Sequence, residues 1–222
     1  MNLINNKEII ARRVAKELQE NMVVNLGIGL PTLVSNYVDP NKHIMLHSEN
    51  GFVGLDSSLK QGTETERNKM IIDAGGMPSS IILGGQFFDS SISFGLIRGG
   101  HIDVTVLGAL QVDKDGNLAN YMIPGKMIPG MGGAMDLVSG AKKVIIAMEH
   151  LDRNQNRKIV KKCKLPLTGM NVVDMIVTEM GVMRLKNRKV ILEEINPKFT
   201  LEEVINSTEA ELIIDVDLKK MC

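Results

Sequence analysis

The chain has 222 residues, of which 44% are hydrophobic and 23% charged, a composition typical of a folded globular protein. This length predicts one domain with a substantial core, and we expect that domain to span residues 1–222. Basic and acidic residues number 26 each, so the formal net charge is zero. A neutral chain has no general attraction for nucleic acid or for an anionic membrane, and we expect neither as a partner.

Cysteine content and hydropathy indicate the cellular compartment of the protein. Its two cysteines, Cys163 and Cys222, give no disulfide framework and are typical of a reduced cytoplasm. The segment from Asn5 to Leu18 mixes basic and apolar residues at helical spacing, which predicts an amphipathic helix and not a signal peptide. No stretch approaches the roughly 20 apolar residues that cross a bilayer. We therefore predict a cytoplasmic protein without membrane association.

Apolar runs separated by turns and helical segments predict an α/β fold. A strand at Val23–Leu26 leads through a glycine turn into a helix that reaches about Tyr37. Further strand-like runs follow at 43–47, 80–83, 104–107 and 144–147. This pattern predicts a mostly parallel open sheet flanked by helices.

The last third of the chain predicts a β-rich C-terminal edge of the same domain. Short strand-like runs lie at 173–178, 182–185 and 190–192, with a hairpin turn at 186–188. Earlier, the residues from Asp113 to Asn117 predict a tight turn between two strands. Thr200 and Glu203 have the spacing of a capping box, which predicts the start of a last helix.

One carboxylate stands out, in the run His47-Ser48-Glu49-Asn50-Gly51-Phe52-Val53-Gly54. Glu49 directly follows an apolar strand, and Asn50 and Gly51 favour a sharp turn after it. The carboxyl ends of parallel strands are where α/β proteins place their sites. Glutamate side chains are ionised at neutral pH and can attack an activated acyl group without a general base. We predict that Glu49 is a nucleophile; the alternative is a carboxylate that caps a helix or binds backbone N–H groups.

Two glycine-rich segments are further candidates for a binding site. Gly27-Ile28-Gly29-Leu30-Pro31-Thr32 follows a strand as a dinucleotide loop does, but Thr32 occupies the place of the third glycine, which argues against nicotinamide binding. The stretch from Gly130 to Asp136 has glycines just before a helical run, where backbone N–H groups can approach a ligand. The alternative for this stretch is a flexible loop.

The histidines do not predict a metal site. His43 and His47 are four residues apart, and in a strand such side chains stand roughly 13 Å apart, too far to share an ion. No Cys/His cluster offers other ligands, and no G-x-S-x-G motif supports serine-hydrolase chemistry.

The run from Ser48 to Gly54 resembles the S-E-N-G-x-x-G active-site signature of the class I coenzyme A transferases. Further similar segments cover nearly the whole chain, at 10–15, 25–32, 94–100, 107–112 and 124–137. In detail the chain resembles the small, beta-type subunit of bacterial acetate or butyrate:acetoacetate CoA-transferases. In that family a separate alpha subunit completes the enzyme.

The resemblance implies a catalytic beta subunit that moves CoA between a short-chain acyl-CoA (acetoacetyl-, butyryl- or acetyl-CoA) and a free carboxylic acid. The reaction would follow a ping-pong course through a thioester between Glu49 and CoA. Coenzyme A would then be substrate and covalent intermediate, with no tightly bound cofactor and no metal. The expected partner is an alpha subunit, in an αβ pair that dimerises to α2β2 or a larger assembly.

The resemblance also implies roles for residues around Glu49. The backbone N–H of Gly133 is expected to donate to the developing oxyanion. The residues expected to shape the pocket are Gly27, Gly29, Pro31, Asn50 and Gly51. The candidate contacts of CoA are Gly132, Lys126 and Arg98, and for the two cations the alternative is ordinary exposure to solvent.

Three positions depart from the family pattern. Asp56 stands where a glycine is frequent, His47 where glutamine is common, and Tyr121 where tryptophan is frequent. The added charge of Asp56 near Glu49 or CoA bears on which acids are used. Rival functions are an acyl-CoA thioester hydrolase with the same carboxylate, a non-catalytic partner subunit and, by fold analogy alone, a sugar-phosphate isomerase.

Overall fold

A computed structural model of the protein describes residues 5–56, 68–125 and 130–221. Its helices are α1 (Asn6–Ala15), the 3-10 helix η1 (Leu30–Tyr37), α2 (Ser90–Arg98), α3 (Ala134–Gly140) and α4 (Leu201–Ser207). Its first nine strands are β1 (Val23–Leu26), β2 (Met45–Ser48), β3 (Phe52–Leu55), β4 (Asn68–Ile72), β5 (Pro78–Ser79), β6 (Ile81–Phe87), β7 (Val104–Leu107), β8 (Gln111–Asp113) and β9 (Leu118–Ala119). The remaining strands are β10 (Lys143–Ala147), β11 (Ile159–Val160), β12 (Met175–Val177), β13 (Gly181–Lys186), β14 (Lys189–Ile195) and β15 (Leu212–Lys220).

Ten of these strands form one sheet in the order β15-β14-β13-β12-β10-β7-β1-β2-β3-β6. The five central strands, from β12 to β2, pair in parallel. Antiparallel pairs join β3 and β6 at one end, and β13 and β14 at the other. The predicted α/β fold, with a mostly parallel sheet and a β-rich C-terminal edge, is therefore confirmed.

Helices cover both faces of the sheet, and each face has its own core. On one face α1 and η1 contribute Ile10, Val14 and Val34. On the other, α2 and α3 contribute Ile97 and Leu137. Burial from both sides explains why the central strands are mostly apolar, as in β7, whose four residues are all buried.

Local signals predicted several element ends correctly. The Thr200 side chain accepts a hydrogen bond from the Glu203 N–H and the Glu203 carboxylate accepts one from the Thr200 N–H, which completes the capping box of α4. Asp113 accepts bonds from two backbone N–H groups of its turn, at 3.0 and 3.2 Å, and this turn joins β8 to β9. Asn187 and Arg188 have φ values of 53° and 58° in the hairpin between β13 and β14.

Among the elements that differ from the prediction are η1 and β15. The segment after Gly29 forms a 3-10 helix, whose first turn has an N–H to C=O bond of 3.1 Å from Thr32 to Gly29. Strand β15, which pairs in parallel with β14 after the α4 crossover, was missed. Its sequence begins with the apolar run Leu212-Ile213-Ile214, but the charged residues Asp215, Asp217, Lys219 and Lys220 follow, as is typical of an edge strand.

Arg13 connects α1 to the C-terminal part of the sheet. Its Nε and Nη2 each lie 2.7 Å from a carboxylate oxygen of Glu194 in β14. Its Nη1 lies 2.9 Å from Glu17, which also accepts a 2.6 Å bond from Lys143 of β10. Arg13 is only 7% exposed, so this bidentate ion pair is largely shielded from solvent.

We expect Arg13→Ala to lower the free energy of unfolding by about 3 kcal/mol, because it leaves the partly buried carboxylate of Glu194 without its counter-ion. Arg12→Ala is the matched control, since Arg12 is exposed and its guanidinium lies 4.9 Å from the centroid of the Tyr37 ring. Its loss is expected to stay within about 1 kcal/mol. Urea denaturation of both variants measures the difference, and equal losses would contradict it.

Candidate active site

Glu49 lies in the turn between β2, which ends at Ser48, and β3, which begins at Phe52. It therefore follows the carboxyl end of a parallel strand, as predicted, and its side chain is partly buried. The turn requires glycine at Gly51, where φ is +135° and an added Cβ would lie 2.4 Å from the Phe88 carbonyl oxygen. The conformation of this turn therefore fixes the backbone position of Glu49.

The side chain of Asn25 binds the Glu49 carboxylate. Its Nδ2 donates to Oε2 of Glu49 at 2.9 Å, and it also lies 3.3 Å from the His47 carbonyl oxygen and 3.4 Å from His47 Nδ1. Thr105 donates to the Asn25 Oδ1 at 3.4 Å. Because Asn25 pairs with His47 in the parallel β1–β2 ladder, these polar groups share one face of the sheet.

His47 is a buried, neutral histidine next to this contact. It is 3% exposed and stacks on Phe88, with ring centroids 6.2 Å apart. Burial lowers the pKa of His47 to about 4. The Asn25 amide nitrogen can only donate, so we assign Nδ1 of His47 as an acceptor, and Nε2–H as the donor to Ser93 Oγ at 3.0 Å.

Gly133, the N-cap residue of α3, lies beside Glu49. A Cβ added at this glycine would lie 3.4 Å from Cγ of Glu49 and 3.3 Å from Cζ of Phe94. Gly132 precedes it with φ of +54° and has no atom within 4 Å of the equivalent Cβ position. Within the described ranges, no residue accepts a hydrogen bond from the Gly133 N–H. The backbone here can therefore approach a group bound to Glu49.

The two predicted cationic contacts of CoA have different outcomes. Arg98, at the end of α2, donates to Asp136 of α3 at 2.7 Å, and its guanidinium lies 5.6 Å from the centroid of the Phe94 ring. Its side chain is 67% exposed, on the side of the sheet where Phe94 approaches Gly133. Lys126 lies outside the described residues.

A cavity of about 650 Å³ lies next to β2, and Ser48 rather than Glu49 lines it. Of the predicted pocket-shaping residues, Gly29 lines this cavity, with φ of +87°. Asp56, which departs from the family pattern, lines it as well. Pro31 is buried at the start of η1, outside the lining.

Gly27 and Asn50 support the walls of the site. An added Cβ at Gly27 would lie 2.9 Å from Cδ2 of Leu107, so glycine allows β1 to pack closely on β7. The Asn50 side chain donates to the Ile72 carbonyl oxygen at 2.6 Å and accepts from Ser48 Oγ at 2.8 Å. Ser48 in turn accepts a 2.9 Å bond from the Ala74 N–H. The turn at Glu49 is thereby tied to the β4–β5 hairpin.

The sequence model described as "Coenzyme A transferase" matches residues 7–207. The chain belongs to this family. It is 52% identical to the "Acetate CoA-transferase subunit beta" of Haemophilus influenzae, over 98% of this chain and 96% of the relative. It is 44% identical to the human mitochondrial "Succinyl-CoA:3-ketoacid coenzyme A transferase 2", over 96% of this chain but only 41% of the human protein.

Structure comparison supports the fold. An acyl-CoA transferase of Escherichia coli O157:H7 superposes with a TM-score of 0.78 at 21% identity, covering 100% of this chain and 44% of that one. Together these matches confirm the predicted assignment to the CoA-transferases, as an enzyme chain of the beta-subunit type.

Sequence reasoning missed three residues of this site in the CoA-transferase chain: Asn25, which binds Glu49, Phe94, which lies beside Gly133, and Ser93, which binds His47. Asn25 had one available signal, because it is a polar residue within the otherwise apolar strand Val23–Leu26. Ser93 and Phe94 lie on a helix more than 40 residues from Glu49 in sequence, and only the packing of α2 brings them to the site.

The part of the chain that the structure describes contains neither a candidate metal cluster nor a candidate membrane-spanning helix. No cluster of three or more His, Cys, Asp or Glu side chains is arranged to hold a metal ion. No helix in these ranges combines the length and hydropathy that a membrane span requires.

We expect the free energy of unfolding to fall as the pH drops from about 6.5 to about 4, because burial keeps His47 and His150 neutral in the folded chain. His150 is fully buried between the hydroxyls of Thr178 and Thr208, at 3.0 and 2.9 Å, and its pKa is lowered to about 4, chiefly by burial. An unfolded histidine titrates near pH 6.5, so within this window the unfolded chain binds more protons.

Each histidine contributes stability that is fully present above about pH 6.5 and decreases by up to roughly 3 kcal/mol as the pH falls towards 4. Urea denaturation at several pH values measures the slope. His47→Gln and His150→Gln are each expected to make the slope shallower by one proton. If neither substitution changes the pH dependence of the free energy of unfolding, the two histidines are not the buried neutral groups that cause it.

Proposed function

We propose that this chain is the catalytic beta subunit of a heteromeric enzyme that transfers CoA between a short-chain acyl-CoA and a free carboxylic acid, with Glu49 as the nucleophile. The observation that carries the proposal is the setting of Glu49: a partly buried carboxylate at the carboxyl end of β2, bound through Oε2 to Asn25 and adjacent to Gly133. Membership of the CoA-transferase family supports thioester chemistry at this group.

The proposed reaction has two halves. Glu49 attacks the thioester carbonyl of the acyl-CoA, the C–S bond breaks, and a mixed anhydride forms with CoA thiolate as leaving group. The thiolate then attacks the glutamyl carbon, which releases the first acid and leaves CoA as a thioester on Glu49. A second carboxylate collects the CoA by the same steps in reverse. The energy of the thioester is conserved throughout, so the reaction needs neither ATP nor a metal ion.

Around Glu49, backbone and cationic groups are proposed to assist. The Gly133 N–H is a donor to the developing oxyanion, a contact typically worth about 3–4 kcal/mol in the transition state. Gly132, Arg98 and Lys126 remain candidate contacts of CoA. For Arg98, a CoA phosphate would compete with the carboxylate of Asp136, its present partner.

For the substrates, we propose acetoacetyl-, butyryl- or acetyl-CoA and the corresponding free acids. The similarity to an "Acetate CoA-transferase subunit beta" supports acetate as one acid. The similarity to a "Succinyl-CoA:3-ketoacid coenzyme A transferase 2" supports a 3-keto acid such as acetoacetate as another.

We further propose that the alpha subunit docks on the β4–β6 surface, which we define by its exposed apolar residues Met70, Ile72, Met77, Ile82, Leu83 and Phe87. Exposed apolar groups in this number usually mark an interface. Strand β6 is an edge of the sheet, and next to it Phe88 donates to the Gly51 carbonyl oxygen in the Glu49 turn. A partner on this surface would therefore cover the site and exclude water from the anhydride.

A partner of this kind is supported by the relatives. The Haemophilus influenzae protein is named a beta subunit, and the human relative is more than twice as long as the matched region. We propose that the αβ pair dimerises to α2β2 or a larger assembly, because closed symmetry favours such assemblies.

Glu49→Ala, in the complex with its alpha partner, is expected to lower CoA transfer by about 10⁴-fold or more, because alanine has no carboxylate to form the covalent intermediate. Glu20→Ala is the control, since the Glu20 side chain is 62% exposed and faces His43. Wild-type complex is incubated with acetoacetyl-CoA and reduced with borohydride, and mass spectrometry is expected to find an alcohol at Glu49 alone.

The same assay separates the rival functions. A hydrolase would consume acyl-CoA at the same rate with and without acetate, whereas a transferase requires the acceptor. A non-catalytic subunit would keep its activity after Glu49→Ala. An unmodified Glu49 in a complex that still turns over would refute the covalent mechanism.

Leu83→Asp is expected to abolish co-purification with the alpha subunit, because it places a charge within the β4–β6 surface. Val216→Asp is the matched control: both residues are fully exposed apolar side chains on edge strands, at opposite ends of the sheet. We expect that variant to co-purify normally. If both variants retain the partner, the interface lies elsewhere.

A further inference from the structure

We infer that Asn25 is a catalytic residue of the proposed reaction, whose side-chain Nδ2–H stabilises the oxyanion that forms on Oε2 of Glu49 when CoA thiolate attacks the glutamyl carbon. The inference rests on the proposed function and deepens it, since it assigns different fates to the two oxygens of the nucleophile. In this inference the Asn25 side chain on β1 is a second hydrogen-bond donor at Glu49, beside the proposed backbone donor Gly133.

The hydrogen bonds of Glu49 distinguish its two oxygens. Oε2 accepts a 2.9 Å bond from Asn25, whereas Oε1 accepts none from the residues that the structure describes. Oε1 is therefore the oxygen that attacks the acyl carbon, and it becomes the bridging oxygen of the anhydride. Oε2 becomes the glutamyl carbonyl oxygen and keeps its bond to Asn25.

The second step places negative charge on Oε2. As the thiolate sulfur bonds to the glutamyl carbon, the carbonyl electron pair moves to Oε2. When the tetrahedral species collapses, the bond to Oε1 breaks and Oε1 leaves in the released carboxylate. A donor 2.9 Å from Oε2 lies within the 2.7–3.1 Å range of effective oxyanion donors. The donor is in place before the charge develops.

The surroundings of Asn25 fix the direction of its amide. Three acceptors lie near its Nδ2, namely Oε2 of Glu49 and the carbonyl oxygen and Nδ1 of His47. The hydroxyl of Thr105 donates to its Oδ1. A flipped amide would direct Oδ1 at all three acceptors and leave the Thr105 hydroxyl against an NH₂ group. Asn25 is also fully buried, so water does not compete for the bond.

His47 and Ser93 act as positioning residues for this donor. Neutral His47 accepts from Asn25 through Nδ1 while its Nε2–H binds Ser93 Oγ at 3.0 Å. A protonated His47 would present Nδ1–H to the Asn25 NH₂ group, so two donors would meet. The pKa of about 4 that burial imposes keeps the ring neutral across the working range of pH.

The test uses the complex with the alpha subunit and Asn25→Ala. We expect the single-turnover rate of Glu49–CoA formation and kcat to fall about 10²–10³-fold, the usual effect of removing one oxyanion donor, with KM for acyl-CoA changed less than about threefold. Thr208→Val is the structural control, because it removes an equally buried hydrogen bond at His150, outside the site. It is expected to lower the melting temperature and leave the rate unchanged.

Asn25→Asp supplies a second variant of nearly the same shape, for use if the alanine variant fails to fold. The titratable groups that contact this position are Glu49 and His47. When the introduced carboxyl and Glu49 share one proton, an O–H donor faces Oε2; when both ionise, the donor is lost and the charges repel. The rate of Glu49–CoA formation in Asn25→Asp, divided by the wild-type rate, is therefore expected to fall as the pH rises from about 5.5 to 8.

The outcomes separate this inference from the proposed function. If the wild-type complex forms no borohydride-reducible adduct at Glu49, the proposed function itself fails. If it forms the adduct and Asn25→Ala forms it within about threefold of the wild-type rate, or changes only KM, Asn25 is not an oxyanion donor. A flat ratio of the Asn25→Asp rate to the wild-type rate across this pH range overturns the inference as well.

Discussion

The parallel pairing of β1 with β2 is the constraint on which the whole site depends. It sets Val24 against Leu46 and Asn25 against His47. A slip by one residue would turn every side chain of one strand to the opposite face and separate Asn25 from Glu49. The register is held by apolar burial, since Val24 and Leu46 both enter the core beneath α1 and η1. Hydrophobic packing on one face therefore fixes a polar contact on the other.

The close packing of α2 against α3 covers the sheet face that carries Asn25 and His47. An added Cβ at Gly140 would lie 2.2 Å from the Ile97 carbonyl oxygen, so the two helices approach to backbone contact. This approach brings Phe94 of α2 next to Gly133 at the start of α3, and sets Ser93 against the ring of His47. Two helices and two strands thus meet around one carboxylate.

The two edges of the sheet differ in a way that fits one partner. Strand β15 carries Asp215, Asp217 and Lys219, charges that protect an exposed edge against pairing with other chains. Strand β6, from Ile81 to Phe87, has no charged residue and ends beside the Glu49 turn. An apolar edge beside the Glu49 turn is a feature expected of a surface that another chain covers.

The sequence by itself determined those features that depend on residues close together in the chain. The capping box at Thr200, the turn at Asp113, the buried strands β7 and β10, and the position of Glu49 after a strand all follow from residues close together in the chain. The family, too, was predicted from motifs, and the comparisons confirm it. These signals are strong because each element satisfies its own hydrogen bonds or buries its own apolar run.

Only the tertiary structure decided which groups surround Glu49. Asn25 and Ser93 come from distant parts of the chain and carry no pattern that links them to the carboxylate, because their contacts arise from strand register and helix packing. The same holds for the neutral state of His47, which depends on burial by residues far away in sequence. The position of Glu49 after a strand is a local property, whereas the side chain of Asn25 that binds its Oε2 is placed by the fold.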